Sequence, residues 1–257
     1  MDINERAALK VLLTYFAAST RDLVDNYAGR PRKWESATNA YKRELGSEYD
    51  KWSRKVAREL NIATTDDERN EIIELALVLL FATMRDMGRK NISQGMFLGL
   101  GGYAPSPRLL EQIAQYIREN ERYLEDGFMR DVEMRLRNAS RDNDVLEVGA
   151  VAILGMLIGA RSRAERYAGG MWAAINMAVG EVTKQQEESG GDGRVFWELE
   201  PTAEHCPDCL RCGDREYPSY DLMLLETGNM APGIGVQCDG NCRCSLKIQK
   251  NGEWVRP

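Results

Sequence analysis

All six cysteines of this 257-residue chain lie between Cys206 and Cys244, and residues 1–205 hold none. The spacing is Cys206-x2-Cys209, then Cys212, a long insertion, and Cys238-x3-Cys242-x-Cys244. The segment from Val195 to the C-terminus has few large apolar residues, so it cannot offset its chain entropy by burial alone and needs a covalent or metal staple. A disulfide framework more often spans a whole small secreted chain. The N-terminus opens MDINERAALK, with charges where a signal peptide carries its apolar stretch. Clustered cysteines without such a leader favour metal ligation in a reducing compartment.

A Cys-x2-Cys knuckle sets two thiolates on one side of a tight turn, where both reach one ion at about 2.3 Å, and a distant pair completes a tetrahedron. The chain is therefore expected to hold a structural zinc through cysteines drawn from Cys206, Cys209, Cys238, Cys242 and Cys244. Cys206 and Cys209 form the first pair, and two of the other three form the second. Cys212 is an alternate ligand or a bystander. His205, the one histidine, adjoins Cys206, and neighbours in sequence rarely serve one ion. Disulfides among surplus thiols are an alternative. A redox Cys-x2-Cys wants a thioredoxin-like context that is missing here. A catalytic zinc needs an open position and usually histidine or carboxylate ligands. There is no Gly-x-Ser-x-Gly elbow, His-Glu-x-x-His or Walker loop, so an enzyme is not expected.

The rest of the chain reads as mainly α. Asn4 to Tyr27 carries Leu9, Leu12, Leu13, Phe16, Leu23 and Val24 at helical spacing. About Arg32 to Leu60, a thin stripe of Trp34, Tyr41, Leu45, Tyr49, Trp52, Val56 and Leu60 predicts a long helix packed along one seam. Thr65 with Glu68 three residues on is a capping box. The run Ile72 to Met84 is apolar almost all round and is expected to be central. Gly95 to Pro107, GMFLGLGGYAPSP, reads as a loop without the glycine spacing of a phosphate cradle. Ser106-Pro107 starts another helix to about Ala139, and Asp144 starts the last, to about Glu188.

Glu187 to Arg194, EESGGDGR, reads as a flexible joint, dividing the chain into an α-helical body of about five long helices, 1–190, and a cysteine-rich zinc module, 191–257. In the module, Val195 to Trp197 is a strand candidate, and Asn251-Gly252 between short β-runs predicts a hairpin with a type I′ turn. No apolar run reaches the ~18 residues of a membrane span. A net charge of -6 does not favour nucleic acid or anionic lipid. The basic stretches Arg30, Arg32, Lys33 and Lys51, Arg54, Lys55, Arg58 read as solvated helix faces.

Around the cysteines the sequence resembles a known family. The residues are Arg166-Tyr167-Ala168-Gly169, Trp172, Gly193-Arg194-Val195-Phe196-Trp197, Glu204-His205-Cys206-Pro207-Asp208-Cys209, Pro232-Gly233-Ile234-Gly235-Val236, Cys238, and Asn241-Cys242-Arg243-Cys244. Together they resemble the C-terminal part of tailed-phage head morphogenesis proteins, the minor capsid proteins of the Mu gpF-like group. Members often carry a Cys-x2-Cys followed by an Asn-Cys-Arg-Cys-like element, commonly with a histidine before it. Here Cys238 stands near that place, one residue further away. The resemblance implies a minor, non-enzymatic protein of the virion head, assembled in the host cytoplasm in several copies near the portal vertex and acting in head morphogenesis, with DNA packaging or ejection as a further role. Its partners would be the portal or major capsid protein, with no membrane contact. The alternative reading is a zinc-dependent nucleic-acid-binding protein, with Arg211, Arg215 and Arg243 near the metal touching packaged DNA.

Overall fold

The computed structural model describes residues 33–141, 153–155, 157, 160–161, 169–238 and 242–256. The protein is mainly α, with seven α-helices among the described residues and a small antiparallel sheet near the C-terminus. The helix expected over Asn4 to Tyr27 lies outside the described residues, as does most of the stretch from Asp144 to Ala168. Among the described residues, no helix is long and apolar enough to cross a membrane.

Contacts group the chain into two compact units. One, the cysteine unit, gathers the described residues up to Thr38, Lys90–Ala114 and those from Gly169 onward. The other, the helical unit, comprises Asn39–Arg89 and the described residues between 115 and 168. The grouping therefore cuts the chain elsewhere than at residue 190, and the cysteine-rich segment shares its unit with helical residues.

The helical unit is built from α1 (Lys33–Ile62), α2 (Asp66–Leu100), α3 (Pro107–Tyr123) and α4 (Arg130–Arg141), some of which run on into the cysteine unit. On α1, Tyr41, Leu45, Tyr49, Val56 and Leu60 are buried, as the thin stripe predicts. Trp52 is half-buried and donates its indole N–H to the Ala76 carbonyl at 2.9 Å. The capping box forms at the start of α2. Glu68 N–H donates to Thr65 Oγ1 at 3.2 Å, and Thr65 N–H donates back to Glu68 Oε2 at 3.2 Å. Ser106 caps α3 through Leu109 N–H at 3.1 Å. The helix from there does not stay α to its end: Leu124–Met129 is a π-helical turn before α4. Buried Leu124, Phe128, Val132 and Leu136 recur every four residues. That spacing outruns 3.6 residues per turn, and one wider turn keeps them on one face.

The run Ile72 to Met84 is not central as expected. Ile73, Ala76, Leu80 and Met84 are buried, but Leu75, Val78 and Leu79 are 58%, 65% and 52% exposed. An all-round apolar sequence permits burial on every side, yet this stretch of α2 packs along one seam.

Within the cysteine unit, α5 (Gly169–Glu188) is buried throughout 170–183 except at Met177. Its small residues admit close neighbours. Gly95 and Gly99 also correct the sequence reading, since the expected loop begins later and α2 continues through both to Leu100. A Cβ on Gly95 would lie 2.4 Å from the Met171 carbonyl oxygen, and one on Gly99 2.3 Å from that of Ile175. The two glycines, four apart and on one helix face, let the backbones of α2 and α5 touch. Composition suggested a loop; tertiary contact makes these positions helical.

Past α5 the expected joint is a hydrogen-bonded turn. Gly191 N–H reaches the Gln186 carbonyl at 2.8 Å and Gly190, at φ 79°, reaches that of Glu187 at 2.9 Å, the two bonds of a Schellman cap. The sheet follows, in order β2-β1-β3-β4, from β1 (Val195–Glu198), β2 (Arg215–Tyr217), β3 (Ser245–Lys250) and β4 (Glu253–Val255). Arg194 ties its strands, bonding Asp192, Glu216 on β2 and Gln249 on β3. Asn251 and Gly252 adopt φ 54° and 83°, as a two-residue type I′ hairpin between β3 and β4 requires. Two short helices, α6 (Pro207–Cys212) and α7 (Tyr220–Thr227), lie between β1 and β3 in sequence.

Candidate metal centre

The knuckle is the start of α6. Cys206 is its N-cap, with extended backbone, and its sulfur accepts from Cys209 N–H at 3.5 Å. Pro207 fits the first turn because it has no N–H to satisfy there. Asp208 holds the next piece in place. Its carboxylate accepts from Gln237 N–H at 2.9 Å, which fixes the chain beside Cys238 to the knuckle. The loop leading there faces α5 at Gly233, where φ is 77° and an added Cβ would stand 3.4 Å from Ala173. Cys242 and Cys244 are the third piece. In extended chain, residues two apart face the same way; both thiols are buried while Arg243 between them is exposed.

The three pieces converge on Cys209. Two groups of thiols have all their sulfurs within 4.8 Å of one another: Cys206, Cys209 and Cys238, and Cys209, Cys242 and Cys244. Cys209 Sγ is 3.6 Å from Cys238 Sγ and 3.8 Å from Cys242 Sγ. Sulfurs bound at about 2.3 Å to one tetrahedral ion stand roughly 3.8 Å apart, so these edges suit a metal ion. His205 Nδ1 is 3.5 Å from Cys244 Sγ. All five cysteines expected as ligands are thus together, with His205 beside them. Cys212 is buried but joins neither group. All six cysteines are free thiols.

The thiols set one another's ionisation. The sulfurs of Cys242 and Cys244, then burial, push the Cys209 thiol well up, whereas Cys209 first, then Cys242, pull Cys244 down. One thiol ionises at the expense of its neighbours, because adjacent negative charges in a half-dry site repel. A metal ion lets several ionise together.

Sequence reasoning named the candidate ligands but not what holds their strand. Trp172 on α5 donates its indole N–H to the Cys244 carbonyl at 2.6 Å. Fully buried Asn176, one turn on, accepts from Leu246 N–H at 2.8 Å and donates to the Trp172 carbonyl at 3.0 Å. Leu246 lies on β3 short of the register with β4, which reaches Ile248, so the asparagine supplies an acceptor there. Trp172 carries a signal in its place within the family resemblance; Asn176 carries none. Of the three arginines expected to touch DNA, Arg211 pairs with Asp208 at 3.3 Å and Arg215 with Glu226 at 2.6 Å, while Arg243 is exposed.

These features define a mainly α protein with a cysteine cluster that can hold a metal ion. Compared with known protein families, with characterised proteins and with solved structures, the chain matches none.

Proposed function

We propose that this chain is a non-enzymatic structural component of a tailed-phage head, a minor protein at the portal vertex, stapled by zinc in its cysteine unit. The observation that carries the reading is the convergence of five cysteines drawn from three separate stretches of chain. Thiolates with one imidazole beside them are the donor set of structural zinc, which has no geometric preference to oppose a tetrahedron. The residues behind the family resemblance also meet in space. Trp172 bonds the Cys244 carbonyl, Gly233 faces Ala173, and Asp208 fixes the approach to Cys238. Arg166 to Ala168 and Asn241 lie outside the described residues. α7 leaves Leu222 and Leu225 exposed, an apolar feature suited to contact with a portal or shell protein.

Two measurements test this. Metal analysis of the purified, reduced protein should find zinc, and its removal by chelator should unfold the cysteine unit; a metal-free, folded protein would overturn the staple. Mass spectrometry of DNA-filled heads should find the chain at constant low copy relative to the major shell protein and co-purifying with the portal. Absence from both filled heads and empty precursors would overturn the virion role and leave the metal site standing.

A further inference from the structure

We infer that the cysteine cluster holds two metal ions rather than one, bridged by the Cys209 thiolate; this rests on the metal-binding reading above. The sulfurs form two triads that share a single member, Cys209. A tetrahedral ion needs four donors about 3.8 Å or less from one another. Among the described residues, no four candidate donor atoms lie even within 4.8 Å of one another. One ion placed in either triad therefore leaves two of the five thiols outside its reach.

A second ion uses all of them. The first ion takes Cys206, Cys209 and Cys238, whose outer members are half-exposed, so that solvent completes its shell. The second takes Cys209, Cys242 and Cys244, all buried, and His205, which stands beside Cys244 but outside the triad, reaches it as fourth donor by a turn of its side chain. At bond lengths of about 2.0 Å to nitrogen and 2.3 Å to sulfur, a tetrahedral N···S edge is roughly 3.5 Å, and His205 Nδ1 stands 3.5 Å from Cys244 Sγ. Charge favours the same arrangement. One divalent ion in four thiolates leaves a formal charge of about −2 beside a fifth, protonated thiol, whereas two ions among five thiolates leave about −1, less costly to bury. Cys209 is suited to bridge because α6 holds it between the other two pieces, and its sulfur is near Cys238 and Cys242 at once.

The test is metal stoichiometry of the full-length reduced protein by native mass spectrometry after reconstitution with zinc, paired with cobalt(II) titration followed by electron paramagnetic resonance. Two zinc ions per chain are expected, together with a cobalt signal that grows with the first equivalent and falls with the second, because a bridging thiolate couples the spins. Cys206→Ser and Cys244→Ser should each retain one ion. One ion in the unaltered protein, or two ions with uncoupled cobalt spins, would overturn the bridged pair while leaving metal binding intact. No metal at all would overturn both. Because the stoichiometry and the spectrum use the unaltered chain, a variant that fails to fold does not decide the outcome.

Discussion

Replacing Gly99 by alanine adds one methyl group where α2 meets α5. The new Cβ would sit 2.3 Å from the Ile175 carbonyl oxygen and 2.8 Å from the Ala178 Cβ, and real Cβ atoms are essentially never closer than 3.0 Å to such neighbours. The obstructing atoms include backbone, so no side-chain rotation relieves them, and the helices must part by several tenths of an ångström. Overpacking of this kind costs about 1–3 kcal/mol, and a rigid carbonyl places it near the upper end. Alanine recovers about 1 kcal/mol of helix propensity. The net is a loss of about 2 kcal/mol, or roughly 30-fold in the folded-to-unfolded ratio. Gly88→Ala is the control on the same helix. Nothing lies within 4 Å of its Cβ, so only the propensity gain of about 1 kcal/mol remains, with opposite sign. Urea unfolding at saturating zinc, followed by circular dichroism, reads both midpoints. The effect should also reach the metal, since α5 carries Trp172 and Asn176 to the cysteine strand. Competition against a chromophoric chelator should then show weaker zinc binding for Gly99→Ala alone. A Gly99→Ala protein with an unchanged or raised midpoint would refute the close-approach argument.

Trp172→Phe keeps most of the ring but removes the N–H that the Cys244 carbonyl accepts, and should weaken zinc binding by about 1 kcal/mol, roughly fivefold; equal affinity in chelator competition would show that the bond does not position the strand. Glu198 is half-buried; burial raises its carboxyl pKa, but Lys247 and Arg256 outweigh this and hold it below the ordinary 4.5. Its contribution is therefore fully present above pH 4.5 and is lost as the pH falls further through the lowered folded-state value. Glu198→Gln should cost about 1 kcal/mol at neutral pH, and the gap from the unaltered protein should close below pH 4.5 in acid titrations of the two; a gap independent of pH would overturn the assignment.

Features written within a few residues of one another were legible in the sequence. Thr65 and Glu68 form their reciprocal cap, Asn251-Gly252 turns its hairpin, and Cys206 and Cys209 form a knuckle because proline and a short helix follow at once. Each depends on backbone geometry that the local residues impose by themselves. The stripe on α1 was legible too, since a 3.6-residue period fixes a face whatever covers it. Tertiary structure decided what depends on contact between distant stretches. Gly95 and Gly99 are helical because α5 lies against them, although their composition reads as a loop. Ile72 to Met84 has apolar residues enough for a central helix, but it packs along one seam and leaves Leu75, Val78 and Leu79 exposed. The cysteines by themselves named the candidate ligands and left their grouping open. Folding joins three separated stretches at Cys209, because the grouping depends on where α5 holds the strand of Cys242 and Cys244, a distance that no spacing in the sequence encodes.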